Sequence, residues 1–229
     1  MNTKKYLILS IIAFGFGALY AQNSPEIQIT PLEKKDLFKK DAITFYVGSG
    51  AMPILDTLGD AVKKNLLNNF PEAKMNVSRP FIIGYQYHVR DKFSIGMVYC
   101  TSSVTSDKKI MPDFQNVGQS SEFYYNIALT SLMTSVDVYW SKIKRPKSTF
   151  AFHSGLSLGL FNLTGSREIT KGTGNGVEDL NLNVTSRAFQ FTVVGVKHSM
   201  DALKGFGWFA NLGVGFNSIG LTSGINWTL

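Results

Sequence analysis

The stretch FGWFANLGVGFNSIGLTSGINWTL, residues 206–229, decides the fold. One parity of its first half carries Trp208, Ala210, Leu212, Val214 and Phe216, and the other Phe209, Asn211, Gly213, Gly215 and Asn217. The second half repeats this, with Leu221, Ile225, Trp227 and Leu229 against Thr222, Gly224, Asn226 and Thr228. Successive side chains of a strand point to opposite faces, so each segment reads as a strand with one apolar face and one small or polar face. Gly, Asn and Thr suit a crowded interior, whereas the apolar face is continuous and aromatic at its ends. That inversion is the pattern of a transmembrane β-barrel, with lipid outside and a polar lumen inside.

The N-terminus reads independently as an export signal. Lys4 and Lys5 precede an apolar run of about 13 residues, and Ala18-Leu19-Tyr20-Ala21 precedes Gln22. This predicts a signal peptide over residues 1–21, cleaved between Ala21 and Gln22. The alternative, a single membrane anchor, needs roughly 20 apolar residues. No later stretch is apolar enough for a spanning helix, and among membrane-spanning structures only helices and closed barrels satisfy their backbone in lipid. Residues 22–41, with Pro25, Pro31 and two Lys pairs, read as a periplasmic N-terminal segment, and residues 42–229 as one barrel domain. The single cysteine, Cys100, allows no intrachain disulfide and falls on an inward parity. The net charge of +7 is dispersed rather than gathered into a stripe with stacking aromatics, which argues against nucleic acid as a partner.

Reading backwards from the C-terminus gives eight strands. The first covers residues 42–50, followed by a helix over 53–70, where Ile54, Leu55, Leu58, Ala61, Val62, Leu66, Leu67 and Phe70 recur at helical spacing. The helix either packs on the barrel rim or meets a membrane surface or partner. Strand two (79–89) turns Phe81, Ile83, Tyr85 and Tyr87 outward and Ile82, Gly84, Gln86 and His88 inward. A turn at 90–92 leads to strand three (93–100), and residues 101–121 read as a loop. Strand four (122–141) alternates more weakly; placing Asp137 inward leaves Leu132, Val136, Val138 and Trp140 outward. After a turn at 142–148, strand five sends Phe150, Phe152, Leu156, Leu158 and Leu160 outward and His153 inward. A polar loop is predicted over 165–183. Strand six carries Phe189, Phe191, Val193 and Gly195 outward and Gln190 and Thr192 inward. All seven prolines fall outside strand interiors, as a closed wall requires.

The links after strands one, three and five are long and those after two, four and six short, which predicts an up-and-down barrel with both termini on the periplasmic side. On strand six Arg187 and Lys197 share the outward parity and bracket an apolar run whose ten residues span roughly 25 Å when tilted. Both are expected to snorkel to the two interfaces, beside anchors at Trp140, Trp208 and Trp227. A soluble sandwich would explain those charges but not the apolar run between them.

On these residues the chain resembles the small outer-membrane β-barrel proteins of Gram-negative bacteria, the porin-like "outer membrane protein β-barrel domain" group common in Bacteroidetes. The resemblance is one of pattern and covers about residues 42–229. It implies an all-β, eight-stranded antiparallel up-and-down transmembrane barrel with one helix in the first long loop, residing in the outer membrane. Ile225-Asn226-Trp227-Thr228-Leu229 is similar to the C-terminal signal read by the barrel assembly machinery, with Leu229 where the pattern prefers Phe or Trp. Asp56-Thr57-Leu58 also fits the O-glycosylation pattern described for Bacteroidetes.

Candidate chemistry is sparse. The three histidines, His88, His153 and His198, all fall toward the predicted periplasmic end, away from outer-leaflet lipid, so lipid hydrolysis at the outer rim is disfavoured. Inward His88, His153 and Asp137, with Gln190, form either a hydrogen-bonded network filling the lumen or a proton relay or metal site. The first reading is preferred, which sets no catalytic residue, cofactor or metal. Gly172-Thr173-Gly174-Asn175-Gly176 lacks the Lys-Ser/Thr that completes a phosphate-binding loop. The Asn-x-Ser/Thr triplets at Asn76, Asn162, Asn183 and Asn226 carry no meaning in a bacterium. The expected function is a non-enzymatic envelope-structural or surface-interaction role, with outer-membrane lipids as partners. The alternatives are a narrow channel or lateral path for small solutes, and a lipid-modifying enzyme. A soluble lipocalin-like barrel is the alternative fold. The sequence sets no oligomeric state.

Overall fold

The computed structural model describes residues 42–51, 53–67, 72–90, 92–112, 119–145, 147–173, 179–200, 203, 205–216 and 218–229. The predicted signal peptide, its cleavage pair Ala21 and Gln22, residues 22–41, Phe70, Asp91 and residues 174–176 lie outside the described residues.

The alternating segments form one antiparallel sheet. Its strands are β1 (Ile43–Ser49), β2 (Met75–Val77), β3 (Phe81–Arg90), β4 (Phe93–Ser106), β5 (Lys109–Pro112), β6 (Ser120–Arg145), β7 (Ser148–Lys171), β8 (Leu182–Met200), β9 (Phe206–Gly215) and β10 (Ile219–Thr228). One α-helix, α1 (Pro53–Leu66), lies between β1 and β2. Pro53 takes the first helical position, where its missing N–H costs nothing, and Lys63 and Lys64 sit at the negative end of the helix dipole.

The described residues thus carry ten strands, not the eight predicted. The sheet runs β2-β4-β3-β1-β10-β9-β8-β7-β6-β5, with an additional β4–β6 pairing. That pairing, Phe93↔Val138 through Thr105↔Asn126, closes a circuit of hydrogen-bonded neighbours. Its members are β1, β3, β4, β6, β7, β8, β9 and β10; β2 and β5 are short additions beside β4 and β6. Pro112 ends β5, an edge strand, where a missing donor is tolerated.

Strand lengths depart from expectation mostly at one end. Ser49, Phe81, Thr101, Thr130, Asn162 and Thr185 lie in successive register. Beyond them β4 continues to Ser106, β6 begins at Ser120, and β7 runs to Lys171. The loop predicted over 101–121 is therefore strand over 101–106, 109–112 and 120–121, that predicted over 165–183 is strand over 165–171 and 182–183, and the turn predicted over 142–148 shrinks as β6 reaches Arg145. The reason is a change of polarity on an unchanged parity. Toward the termini the inward face of β6 is Ser131, Ser135 and Asp137, and the outward face Leu132, Val136, Val138 and Trp140. Above Thr130 the same inward parity carries the buried Phe123, Tyr125, Ile127 and Leu129, while Glu122, Tyr124, Asn126 and Thr130 face out. The outward face of β6 is thus mostly apolar below Thr130 and mostly polar above it while the inward face does the reverse, and the two halves cancel when read as one.

The extension is held by α1. Val62 and Leu67 bury against Val104, Phe123, Tyr125, Ile127 and Leu129, with Leu58 and Met75 packed alongside. Burial of side chains this size stabilises by roughly 1.5–3 kcal/mol each. At Gly59 the helix approaches so closely that a Cβ would sit 3.2 Å from Val104 Cγ1. Of the two sequence readings of this helix, the described residues follow the packing one, with an apolar layer across the inside of the extended sheet.

Candidate functional site

Below that layer the interior is polar and contains one cluster of charged side chains. The strand pairings dictate its members. His88 lies across from Ser94, and Ser94 from Asp137. Asp137 lies across from Gly155, Tyr139 from His153, and His153 from Gly195. Two glycines make the geometry feasible: a Cβ at Gly155 would collide with the Asp137 carboxylate, and one at Gly195 with the His153 ring.

Asp137 is nearly buried, and its counter-charge is Lys197, whose Nζ lies 3.6 Å from Asp137 Oδ2. This corrects the expectation that Lys197 snorkels outward with Arg187. Lys197 is 5% exposed and faces the lumen. The cause is a β-bulge on β8. Thr192 pairs with Gly213, but Val194 pairs with Leu212, so Val193 is an extra residue and the parity shifts by one. Val193 and Val194 are both exposed, while Gly195 and Lys197 turn inward. β7 shows the matching irregularity between His153 and Gly155. The expected outward position of Gly195 is corrected by the same bulge.

The rest of the cluster satisfies this pair. Gln86 donates to Asp137 through Nε2 and accepts from Lys197 through Oε1. Lys197 donates to Tyr139 Oη at 2.5 Å, and Tyr139 donates to Gln86 Oε1 at 3.3 Å. His153 Nε2 lies 3.7 Å from Asp137 Oδ2, with its ring 5.2 Å from that of Tyr139. His88 is buried; its Nε2 is hydrogen-bonded to Thr44 Oγ1 at 3.0 Å, and Thr44 to Thr228 at 2.9 Å. A buried ion pair with its lone pairs and protons shared among amide and phenol is a compensated charge.

Of the expected lumen residues, the structure brings together His88, Asp137 and His153. Gln190 is held elsewhere: its Oε1 accepts from Ser218 N (3.1 Å) and its Nε2 lies 3.3 Å from Ser218 O. Sequence reading missed Gln86, Tyr139 and Lys197 as partners. A signal for Lys197 existed: a buried inward Asp needs a cation, and the Val193-Val194 doublet marks where parity can slip.

Between the cluster and the apolar layer lies a cavity of about 60 Å³, lined by Asp137, Lys197, Ser135, Asn211 and Gln190 among others. A water needs about 10–15 Å³ on this measure, so the space suits a few waters. The Ser135 hydroxyl and Asn211 Oδ1 are buried with no protein partner. Tyr46 and Phe209, edge to face at 5.4 Å, close it on one side. Inward Gly84 accommodates Tyr46, and Gly48 and Gly224 accommodate Phe209, so these glycines admit rings rather than leave a passage. Among the described residues no three His, Cys, Asp or Glu side chains are grouped to hold a metal.

On the outside, Trp140, Trp208 and Trp227 are about half exposed, and Arg187 is exposed at the opposite end of the apolar band. His198 is sandwiched on this outer surface, its ring 5.5 Å from Trp208 and 4.6 Å from Phe150. Phe216, expected outward, instead stacks on Phe161 at 3.8 Å, because β9 ends at Gly215.

No protein-family model matches this chain, and no curated protein matches its sequence. Among solved structures it is similar to Ail, the attachment invasion locus protein of Yersinia pestis, in complex with the heparin analogue sucrose octasulfate. The identity is 8% and the TM-score 0.36, over 83% of this chain and 100% of that one.

Proposed function

We propose that this chain is an eight-stranded outer-membrane barrel of the Bacteroidetes-type porin-like group, exported by a signal peptide, with a non-enzymatic role in envelope structure or surface interaction. The observation that carries this is the outward face. Leu132, Leu158, Leu160, Phe189 and Leu221 are each more than half exposed within a band of exposed apolar side chains, and above the band the same face turns to Thr, Asn and Ser. So large an apolar surface is unstable in water and fits a lipid exterior. Trp140, Trp208, Trp227 and Arg187 are its interface anchors, and outer-membrane lipids and the barrel assembly machinery its partners.

The interior supports a non-conducting, non-enzymatic reading. The charge cluster pairs its own members, the one hydroxyl described on a histidine, Thr44 on His88, is fully buried with it, and the cavity of about 60 Å³ lies between that cluster and an apolar layer. Cell fractionation is the primary test: the protein is expected in the outer-membrane fraction, and recovery as an aqueous protein would refute the assignment. Planar-bilayer recording tests the channel alternative, with silence expected. Lipid A mass spectra unchanged on deletion or overexpression are expected if no lipid is modified.

A further inference from the structure

The outward face above the apolar band is concave as well as polar. Ser103 and Thr105 of β4, Tyr124 and Asn126 of β6, Thr170 of β7 and Asp107 line a shallow groove of about 630 Å³ that is widely open to the outside. The β4 and β6 members are half buried, and Thr105 Oγ1 donates to Asn126 Oδ1 at 3.4 Å.

The chemistry of this groove selects its ligand. Its charges are already paired, Lys108 with Glu122 at 2.9 Å and Lys109 with Asp107 at 2.8 Å, so it offers a polyanion no free cationic cluster. One carboxylate is too few for a divalent cation. Among the described residues the groove has no apolar anchor pocket of the kind that dominates protein interfaces. What remains is a dense set of hydroxyl and amide groups beside one phenol ring, which matches a ligand of closely spaced hydroxyls with apolar C–H faces. Position adds a second argument. Asn126 lies four residues beyond Thr130, where the outward face changes character, so it stands on the order of 10 Å above the apolar band for a tilted strand. Lipids covering that band place their headgroups at this height.

We infer that this groove binds saccharide, supplied by the glycolipid of the leaflet around the barrel; the source rests on the outer-membrane reading above. The test uses the full mature chain refolded into nanodiscs, with the side-chain amide of Asn126 followed by NMR. One arm uses discs containing rough-form lipopolysaccharide, the other phospholipid discs titrated with the lipid-free core oligosaccharide. A saturable shift in the glycolipid discs is expected. Asn126→Leu and Tyr124→Ala, both outward and partly exposed, are expected to weaken binding at least tenfold by a ligand-detected readout, with Ser223→Leu, exposed on β10 four strands away from β6 in either direction, as an unaffected control. Silence of the folded wild type in both arms, or binding indifferent to both groove variants, overturns the site. Binding in the oligosaccharide arm alone overturns the glycolipid source. Fractionation, which does not involve the groove, separately reports any failure of the outer-membrane reading.

Discussion

Lys197 Nζ lies 3.6 Å from the Asp137 carboxylate inside the barrel, although the alternation of β8, continued without interruption, points that lysine at the exterior. A single extra residue, Val193, converts an expected surface cation into the counter-ion of the buried acid. Removing one partner of such a pair strands a buried charge and costs about 3–5 kcal/mol, whereas replacing both by apolar groups is often neutral. Lys197→Met is therefore expected to lower the urea midpoint of the micelle-refolded protein strongly, and Asp137→Leu/Lys197→Met to restore most of it. Additive losses in the double variant would refute the pairing.

The bulge itself is testable by accessibility. Spin labels at Val193 and Val194 should both report oxygen contact typical of lipid, and labels at Gly195 and Lys197 should not. Strict alternation through 193–197 would instead expose 193, 195 and 197.

What the sequence revealed and concealed follows from these two residues and from β6. The terminal hairpin, β3 and the helix were legible because each keeps one exterior along its length. β6 was not, since Phe123 and Leu129 bury on the parity that carries Ser135 and Asp137 lower down. Recognising that the exterior changes at Thr130 would have recovered the strand, its extension and the outward polar face. The bulge changes periodicity by one residue inside an apolar run, where either parity looks correct. The cluster was half legible: His88, Gln86, Asp137 and His153 follow from parity, while the bulge hid Lys197 and with it the roles of Gln86 and Tyr139 as its partners.

The boundary at Thr130 and Asn162 predicts a graded response to charge. Leu158 is 57% exposed within the apolar band, and Thr164 lies on the same face of β7 above it. Arg on the lipid face of a barrel costs about 2–4 kcal/mol at mid-depth and roughly 0–1 near an interface. Leu158→Arg should depress refolding into bilayers by the larger amount and Thr164→Arg by no more than the smaller. Equal effects would contradict the placement of the band.

The corner where β2, β4 and β5 meet should loosen in acid. Partial burial pushes the Asp107 carboxyl up, but the Lys109 ammonium at 2.8 Å and the Lys74 N–H at 3.1 Å outweigh it and leave the carboxyl below its usual range. The Lys108 hydrogen bond holds Glu122 low as well. A carboxylate depressed in the folded state stabilises it above the unfolded value, and the contribution disappears as pH falls through the folded one. Amide exchange at Lys74 and Lys109, corrected for intrinsic rates, is expected to be slow at neutral pH and faster at about pH 3. Asp107→Asn should flatten that dependence; an unchanged pH profile in the variant would place its origin elsewhere.

The packing of α1 predicts a split between two substitutions at one residue. Gly59 is buried in mid-helix, and a Cβ there would stand 3.2 Å from Val104 Cγ1 and 3.5 Å from Met75 Cβ. Ala adds only that atom, and the close contact is offset by up to about 1 kcal/mol of helix propensity over Gly, so Gly59→Ala should be nearly neutral. Leu must drive its branched end into the layer formed by Val104 and Met75, and overpacking of this kind costs about 1–3 kcal/mol. Gly59→Leu is thus expected to raise proteolysis between β1 and β3 and amide exchange in β2, with the lower barrel unaffected. If α1 instead lay on a membrane surface, an added Leu would strengthen its binding and protect the segment, so protection by Gly59→Leu would reject the packed arrangement.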